Sequence, residues 1–202
     1  GPAVDLPHTT AKVVNLQGPD GVRRALESIG AELRWRQQRF AELNPPASSI
    51  AEYSSRRTNS LPPIARLVVV IDEYARFVSE VRTASDRITE IAQIGRSLGV
   101  HLLLGTQSPR GVVDNAIKAN IQTKICLRTV DATEALLVVD SALPARIAGT
   151  FRGRGYALTP SGRLTAFQAA WMGATVREAS DTARVRRLEF GRLGVVPQAG
   201  SA

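Results

Sequence analysis

Cysteine, lysine and long apolar runs are scarce in this chain of 202 residues. The single cysteine, Cys126, excludes an intrachain disulfide and argues against a cysteine-based metal site, which fits a reducing compartment. No apolar run approaches the roughly 20 residues that a membrane-spanning helix needs, and the first residues do not form a signal peptide. We therefore expect a cytoplasmic domain that is large enough to bury a core.

Basic side chains outnumber acidic ones, with 26 Lys+Arg against 18 Asp+Glu and a net charge of +8. Only Lys12, Lys118 and Lys124 are lysines, so nearly all of this positive charge is arginine. A basic domain attracts nucleic acid or other anionic surfaces. The arginines are spread along the chain, however, and such a composition is also typical of a GC-rich genome. Charge alone leaves both interpretations open.

The clearest strand in the sequence ends in two carboxylates. Residues 66–71 are mostly β-branched and apolar, which predicts a strand buried on both faces of a parallel sheet. Asp72 and Glu73 follow it, at the sheet edge where α/β proteins bind ligands. In a P-loop NTPase this is the Walker B position, where one acid helps to hold Mg²⁺ and the next orients the attacking water. The structural alternative is a helix cap, with Asp72 as the cap and Glu73 in the first turn.

Two further strands are predicted at residues 100–105 and 121–130. The first is followed by Thr106 and Gln107, and Arg128 lies near the end of the second. If all three strands are parallel, their carboxyl ends share one edge. A glutamine beside a Walker B strand suits a sensor that hydrogen-bonds a γ-phosphate or the attacking water, although it also suits a turn.

The remaining pattern predicts an α/β fold with a mostly parallel sheet and flanking helices. A hairpin is predicted between residues 156–158 and 163–169, around a Pro-Ser-Gly turn. Residues 1–170 are expected to form the domain and residues 171–202 a C-terminal tail or linker. Helices are predicted at residues 22–43, 50–55, 75–98, 113–120 and 132–139, and a short strand at residues 11–16.

Several segments, taken in order, resemble the FtsK/SpoIIIE motor ATPases, which are hexameric RecA-like P-loop NTPases. They are Val68–Glu73, Gly95–Leu102, Thr106–Gln107 and Ile117–Ile121. Some members of that family pump double-stranded DNA, and the EccC/EssC branch drives type VII protein secretion. The segments Leu6–Thr9, Val14–Leu16 and Glu32–Gln37 resemble the EccC/EssC branch more closely. The whole resemblance covers residues 6–158.

The resemblance implies a role for each candidate residue. Asp72 would hold Mg²⁺ through water, Glu73 would activate water, and Thr106 and Gln107 would contact the nucleotide. Arg24 would reach the γ-phosphate of a neighbouring subunit, where a guanidinium neutralises charge that develops during phosphoryl transfer. Arg24 could equally be a solvated arginine on a helix face. The implied cofactors are ATP and Mg²⁺, and the implied partners are copies of the protein in a ring whose parent is tethered at the inner face of the membrane.

One family motif is missing. No segment matches G-x-x-x-x-G-K-[ST], which the family carries upstream of the part that resembles Leu6–Thr9. We therefore expect a piece of a longer protein that lacks the P-loop strand and helix, with a degenerate homologue as the alternative. The isolated chain should hydrolyse no ATP above background and bind it weakly. Its exposed sheet edge and apolar surface should cause self-association.

The sequence leaves three hypotheses open, two of which differ in the cargo that the presumed motor moves. The N-terminal segments favour translocation of protein, as in type VII secretion. The positive charge and the more widely shared later motifs favour double-stranded DNA. A third hypothesis is a non-catalytic ATPase module that serves as a binding platform for a partner.

Overall fold

The structure is a computed structural model that describes residues 7–10, 18–81, 84–111 and 115–170. The helices are α1 (Gly18–Ala41), α2 (Ile50–Arg56), α3 (Tyr74–Glu80), α4 (Ala84–Leu98), α5 (Asn115–Asn120) and α6 (Ala132–Val139), with a 3-10 helix at Leu143–Arg146. The strands are β1 (Leu67–Ile71), β2 (Val100–Leu104), β3 (Lys124–Leu127), β4 (Arg154–Leu158) and β5 (Leu164–Gln168). The strand predicted at residues 11–16 and the tail predicted at 171–202 lie outside the described residues, so the domain division stays a prediction.

β1 and β2 form a parallel pair, as the apolar runs predict. Their register runs from Leu67 opposite Val100 to Ile71 opposite Leu104, so both strands end at the same level. The pairing continues one step further, because the Gly105 N–H donates to the Ile71 carbonyl at 2.8 Å. The loops that follow the two strands therefore start side by side.

The parallel pair is buried on one face only, so the prediction of a strand buried on both faces was wrong. Val68 and Val70 are 60% and 63% exposed, and Leu103 on β2 is 57% exposed. The residues that alternate with them on β1 and β2 pack into the main core. Side chains from α1 and α4 belong to the same core. Side chains of a strand point alternately to opposite faces, and no described element covers the second face.

The single helix predicted at residues 75–98 is two helices. Val81 follows α3 with an extended backbone (φ −129°, ψ 100°), and α4 begins at Ala84. Val81 and Ala84 are both buried, so the break carries the chain back into the core. Helical periodicity continues across the break, which is why the sequence pattern alone did not reveal it. The other four predicted helices are confirmed, with bounds that shift by four residues or fewer.

A second sheet contains the last three strands, in the antiparallel order β3–β4–β5. The predicted hairpin of β4 and β5 is confirmed. The prediction that β3 extends the parallel sheet was wrong, because β3 pairs with β4 instead. Arg128 consequently lies away from the Asp72 edge, and its Nε donates to the Ile147 carbonyl at 3.1 Å. Cys126 lies on β3 with its side chain buried, and this burial raises the pKa of the thiol.

Asp131 caps α6, the helix that the sequence predicts at residues 132–139. The Thr133 N–H donates to its Oδ1 at 2.7 Å. This bond is the main reason that the pKa of the Asp131 carboxyl lies below its ordinary value, and the nearby Arg110 guanidinium lowers it further. The cap fixes where the chain turns after β3.

A buried arginine joins α1 to the end of α4. Arg36 is 4% exposed, and its Nη1 donates to the Leu98 carbonyl at 2.8 Å while its Nε donates to Glu32 at 2.8 Å. The sequence places Arg36 in the Glu32–Gln37 segment but does not reveal that it is buried. None of the described helices combines the length and the apolar character that crossing a membrane requires.

Candidate functional site

Glu73 has an unusual backbone conformation at the carboxyl end of β1. Its φ of 52° and ψ of 53° place it in the left-handed region. Among the described residues, Asp140 is the only other non-glycine residue with positive φ. For an L-residue this conformation costs about 1–2 kcal/mol. Such conformations persist where the surroundings enforce them, and they concentrate at functional sites.

Short hydrogen bonds hold the turn around Glu73. The Glu73 N–H donates to Asp72 Oδ1 at 3.0 Å, and the Tyr74 N–H donates to the Gly105 carbonyl at 2.7 Å. Gly105 matters because a Cβ at this position would lie only 3.1 Å from Asp72 Oδ1. The absence of a side chain therefore lets Asp72 approach the end of β2. Gly105 was not among the predicted site residues, although its place directly before Thr106 was a usable signal.

The Glu73 side chain contacts the neighbouring loop. Gln107 Nε2 donates to Glu73 Oε1 at 2.5 Å. Glu73 occupies the N-cap position of α3, yet its side chain makes no capping hydrogen bond. The cap interpretation, with Asp72 as the cap, is therefore wrong. The structure brings two of the predicted site residues into direct contact across 34 positions of sequence.

Thr106 organises the loop that carries Gln107. Its Oγ1 accepts from the Ser108 N–H at 3.2 Å and donates to the Ser108 carbonyl at 3.2 Å. The hydroxyl is thus engaged within a local turn that fixes where Gln107 begins. In this geometry Thr106 supports the loop, and its predicted contact with nucleotide stays a prediction.

Arg24 lies apart from the other candidates. It is exposed on α1, and within the described part of the chain it contacts none of Asp72, Glu73 and Gln107. Its neighbour Arg23 is paired with Asp20 and Glu27, whereas no described carboxylate pairs with Arg24. The structure therefore assembles Asp72, Glu73, Thr106 and Gln107 at one edge and leaves Arg24 elsewhere on the surface.

The donor set at this edge fits part of a magnesium site. The described residues contain no cluster of three or more His, Cys, Asp or Glu that could hold a metal ion. Mg²⁺ commonly binds one or two carboxylates together with water and substrate phosphates, and it does not need a full protein cage. Asp72 keeps one carboxylate oxygen outside its bond to the Glu73 N–H. This arrangement can supply one side of a nucleotide site, and the phosphate-binding side must come from other residues.

The chain is similar in sequence to known secretion proteins. It is 37% identical over 174 residues to the type VII secretion system protein EssC of Staphylococcus aureus (strain NCTC 8325 / PS 47), which covers 85% of this chain and 11% of EssC. It is 34% identical over 181 residues to the ESX secretion system protein YukB of Bacillus subtilis (strain 168), which covers 88% of this chain and 12% of YukB. The chain thus spans about one ninth of these relatives. No protein-family profile matches it.

Solved structures show the same fold. The cytoplasmic domain of the type VII secretion ATPase EccC of Thermomonospora curvata superposes with a TM-score of 0.69 at 28% identity, over 78% of this chain and 18% of that one. The pCW3 conjugation coupling protein TcpA gives a TM-score of 0.65 at 21% identity, over 74% of this chain and 44% of that one, and this likeness concerns the fold alone. The predicted RecA-like α/β fold and the resemblance to the EccC/EssC branch are both confirmed.

Proposed function

We propose that this chain, a relative of the type VII secretion proteins EssC and YukB, is part of a longer ATP-driven translocase and supplies the Walker B half of a nucleotide site. The hydrogen bond between Gln107 and Glu73 carries the proposal. It joins the ends of two parallel strands at the edge where α/β sheets bind ligands. A carboxylate held there in a left-handed turn, without a capping bond to α3, supports this role.

The residues divide the work in this proposal. Asp72 would hold Mg²⁺ through water, and Glu73 would orient and polarise the water that attacks the γ-phosphate. Gln107 fixes one oxygen of Glu73 and senses the γ-phosphate from the same position. ATP supplies the phosphoryl group and Mg²⁺ neutralises its charge. The P-loop lies outside these 202 residues, so the isolated chain hydrolyses no ATP above background.

Arg24 has a separate part in the proposal. A ring of copies would bring this exposed and unpaired guanidinium to a neighbour's γ-phosphate, where its planar donors suit the transition state. The longer protein would be held at the inner face of the cell membrane, with this chain on the cytoplasmic side.

The experiment is ATP turnover by the longer protein. Glu73→Gln keeps the size of the side chain and removes the charge, and it should lower turnover by about 100-fold or more, the range ascribed to a positioned base. Glu80→Gln is a matched control, because Glu80 ends the next helix and pairs with Arg76. Turnover that is equal in the two variants would refute the proposed role of Glu73.

Protein is the favoured cargo, since EssC and YukB are named as secretion proteins. One observation favours double-stranded DNA as the alternative. Arg154 Cζ lies 4.4 Å from the ring centroid of the exposed Phe151, and Arg146 and Arg152 are exposed in the same segment of the chain. No described carboxylate pairs with these arginines, and unpaired arginines can contact phosphates.

Salt dependence separates the two cargoes. A DNA pump that neutralises Z phosphates loses duplex affinity with a log–log slope of about −0.9Z as salt rises. We expect the longer protein to bind duplex DNA without such a steep slope, and Arg152→Gln to leave protein export intact. If duplex affinity falls steeply with salt and Arg152→Gln makes that slope shallower, double-stranded DNA would be the cargo. Absence of turnover in the longer protein would instead favour the non-catalytic binding platform.

A further inference from the structure

An open cleft lies at the opposite edge of the parallel sheet from Asp72 and Glu73. Arg66 stands directly before β1, and His101 is the second residue of β2. Arg96 and Ser97 belong to the last turn of α4, and Ser49 caps α2. These side chains line one cavity of about 420 Å³, together with apolar contacts from α2.

The cleft carries positive charge that the described chain does not neutralise. None of its lining residues is a carboxylate. Arg66, Arg96 and His101 form no ion pair and no side-chain hydrogen bond with any other described residue. Some other arginines have acidic partners, as Arg56 has in Glu52 and Arg87 in Glu90. Two guanidiniums without such a partner among the described residues therefore line the same concave site.

The Ser49 hydroxyl adds a neutral donor to the cleft, whereas the Ser97 hydroxyl already donates to the Ile94 carbonyl at 2.9 Å. Ser49 Oγ accepts from the Glu52 N–H at 3.2 Å, which leaves its own hydrogen able to donate. Guanidinium groups present planar forks of donors that match phosphate oxygens. The cleft thus offers donors with a positive charge, and it offers no acidic acceptor.

We propose that this cleft binds the phosphate group of a small ligand. Its volume is within the range of small-molecule sites, about 300–1,000 Å³. The site is separate from the Walker B edge, because the five residues of β1 span roughly 16 Å at about 3.3 Å per residue. The inference does not depend on the proposed ATPase function.

Inorganic phosphate is the probe, titrated into the 202-residue chain by calorimetry at constant ionic strength. Binding should saturate. Arg66→Gln and Arg96→Gln should each weaken it about tenfold, as loss of a charge-assisted hydrogen bond does. Arg163→Gln is the control, since it makes the same charge change at an exposed turn of the β4–β5 hairpin. Arg96→Lys retains the positive charge but loses the planar set of guanidinium donors. Its affinity for phosphate should lie between the affinities of the wild type and Arg96→Gln.

Thermal unfolding of each variant checks that the fold is intact. Vesicles then distinguish the source of the phosphate. Retention on phosphatidylglycerol but not phosphatidylcholine vesicles, lost in Arg66→Gln, would assign a lipid headgroup, and saturable phosphate binding without retention would assign a soluble ligand. The proposal is overturned if neither probe binds, or if Arg163→Gln weakens binding as much as the cleft variants do.

Discussion

At Glu73 both the backbone conformation and the side-chain contact indicate a functional role for the carboxylate. The backbone adopts a left-handed conformation that disfavours any side chain, and the carboxylate contacts Gln107 and makes no capping bond with α3. A strained non-glycine residue is expected where function requires that particular side chain. Glycine would relieve the strain, but it would remove the carboxylate.

This strain can be measured in the isolated chain. Glu73→Gly and Glu73→Ala both remove the carboxylate, but only glycine accepts the left-handed backbone without a steric cost. We expect the glycine variant to have a free energy of unfolding about 1 kcal/mol higher than the alanine variant, as measured by urea denaturation.

Asp140 provides a control for that comparison. Its φ is 54°, and its side chain pairs with Lys118 well away from the candidate site. The free energy of unfolding of Asp140→Gly should be higher than that of Asp140→Ala by a similar margin. A difference at Asp140 without one at Glu73 would mean that Glu73 leaves the left-handed region in solution.

The sequence predicted which residues meet at this edge, but not the geometry in which they meet, and their chemical roles stay a prediction. Asp72, Glu73 and Gln107 were identified from strand ends, because the register of parallel strands brings those ends together. The left-handed turn and the role of Gly105 could not be predicted, since both depend on how closely the two loops approach. Arg24 was inferred from family resemblance, and the fold of one chain cannot test a role that acts between subunits.

At the scale of elements, the connection between α1 and α4 rests on a buried charge. Arg36→Ala would leave the Leu98 carbonyl at the end of α4 without its donor and create a cavity. We expect a loss of about 2–4 kcal/mol in the free energy of unfolding. Arg34→Ala on the exposed face of the same helix should change it by less than about 0.5 kcal/mol. Similar losses in both variants would contradict this account of Arg36.

The start of α2 should respond to acid. Backbone and hydroxyl hydrogen bonds from Ser48, followed by the bond from Arg56, lower the pKa of Glu52 from 4.5 to about 2. Because the folded pKa is depressed, the carboxylate stabilises the fold above about pH 4.5 and loses this effect as pH falls towards 2. Glu52→Gln should therefore be less stable than the wild type at pH 7 and approach it near pH 2. A stability difference that is constant with pH would exclude this role.

Two errors at this scale have physical causes. A short apolar strand has the same pattern whether its partner is parallel or antiparallel, so β3 was assigned to the wrong sheet. The break between α3 and α4 interrupts a continuous helical pattern because burial of Val81 overrides propensity. The hairpin prediction was confirmed, because it depends on local turn chemistry.

At the scale of the molecule, the described part of the chain exposes an apolar sheet face that parallel sheets normally cover. Val68, Val70 and Leu103 share that face, since Val70 stands opposite Leu103 in the register. We expect the isolated chain to self-associate, with an apparent mass by light scattering that rises with concentration. Val70→Lys should lower the apparent mass towards that of the monomer. Val130→Lys, at an exposed loop position, should leave the apparent mass unchanged. A wild-type chain that stays monomeric at high concentration would contradict the expectation.

The central claim is that Asp72, Glu73 and Gln107 form the water-activating half of an ATP site. The most direct measurement is the identity of the nucleotide that the longer protein holds after mixing with labelled ATP and Mg²⁺. The wild type should hold mainly ADP after one turnover time, while Glu73→Gln should bind a similar amount of nucleotide and retain it as ATP. If Glu73→Gln converts bound ATP to ADP at the wild-type rate, the claim is wrong.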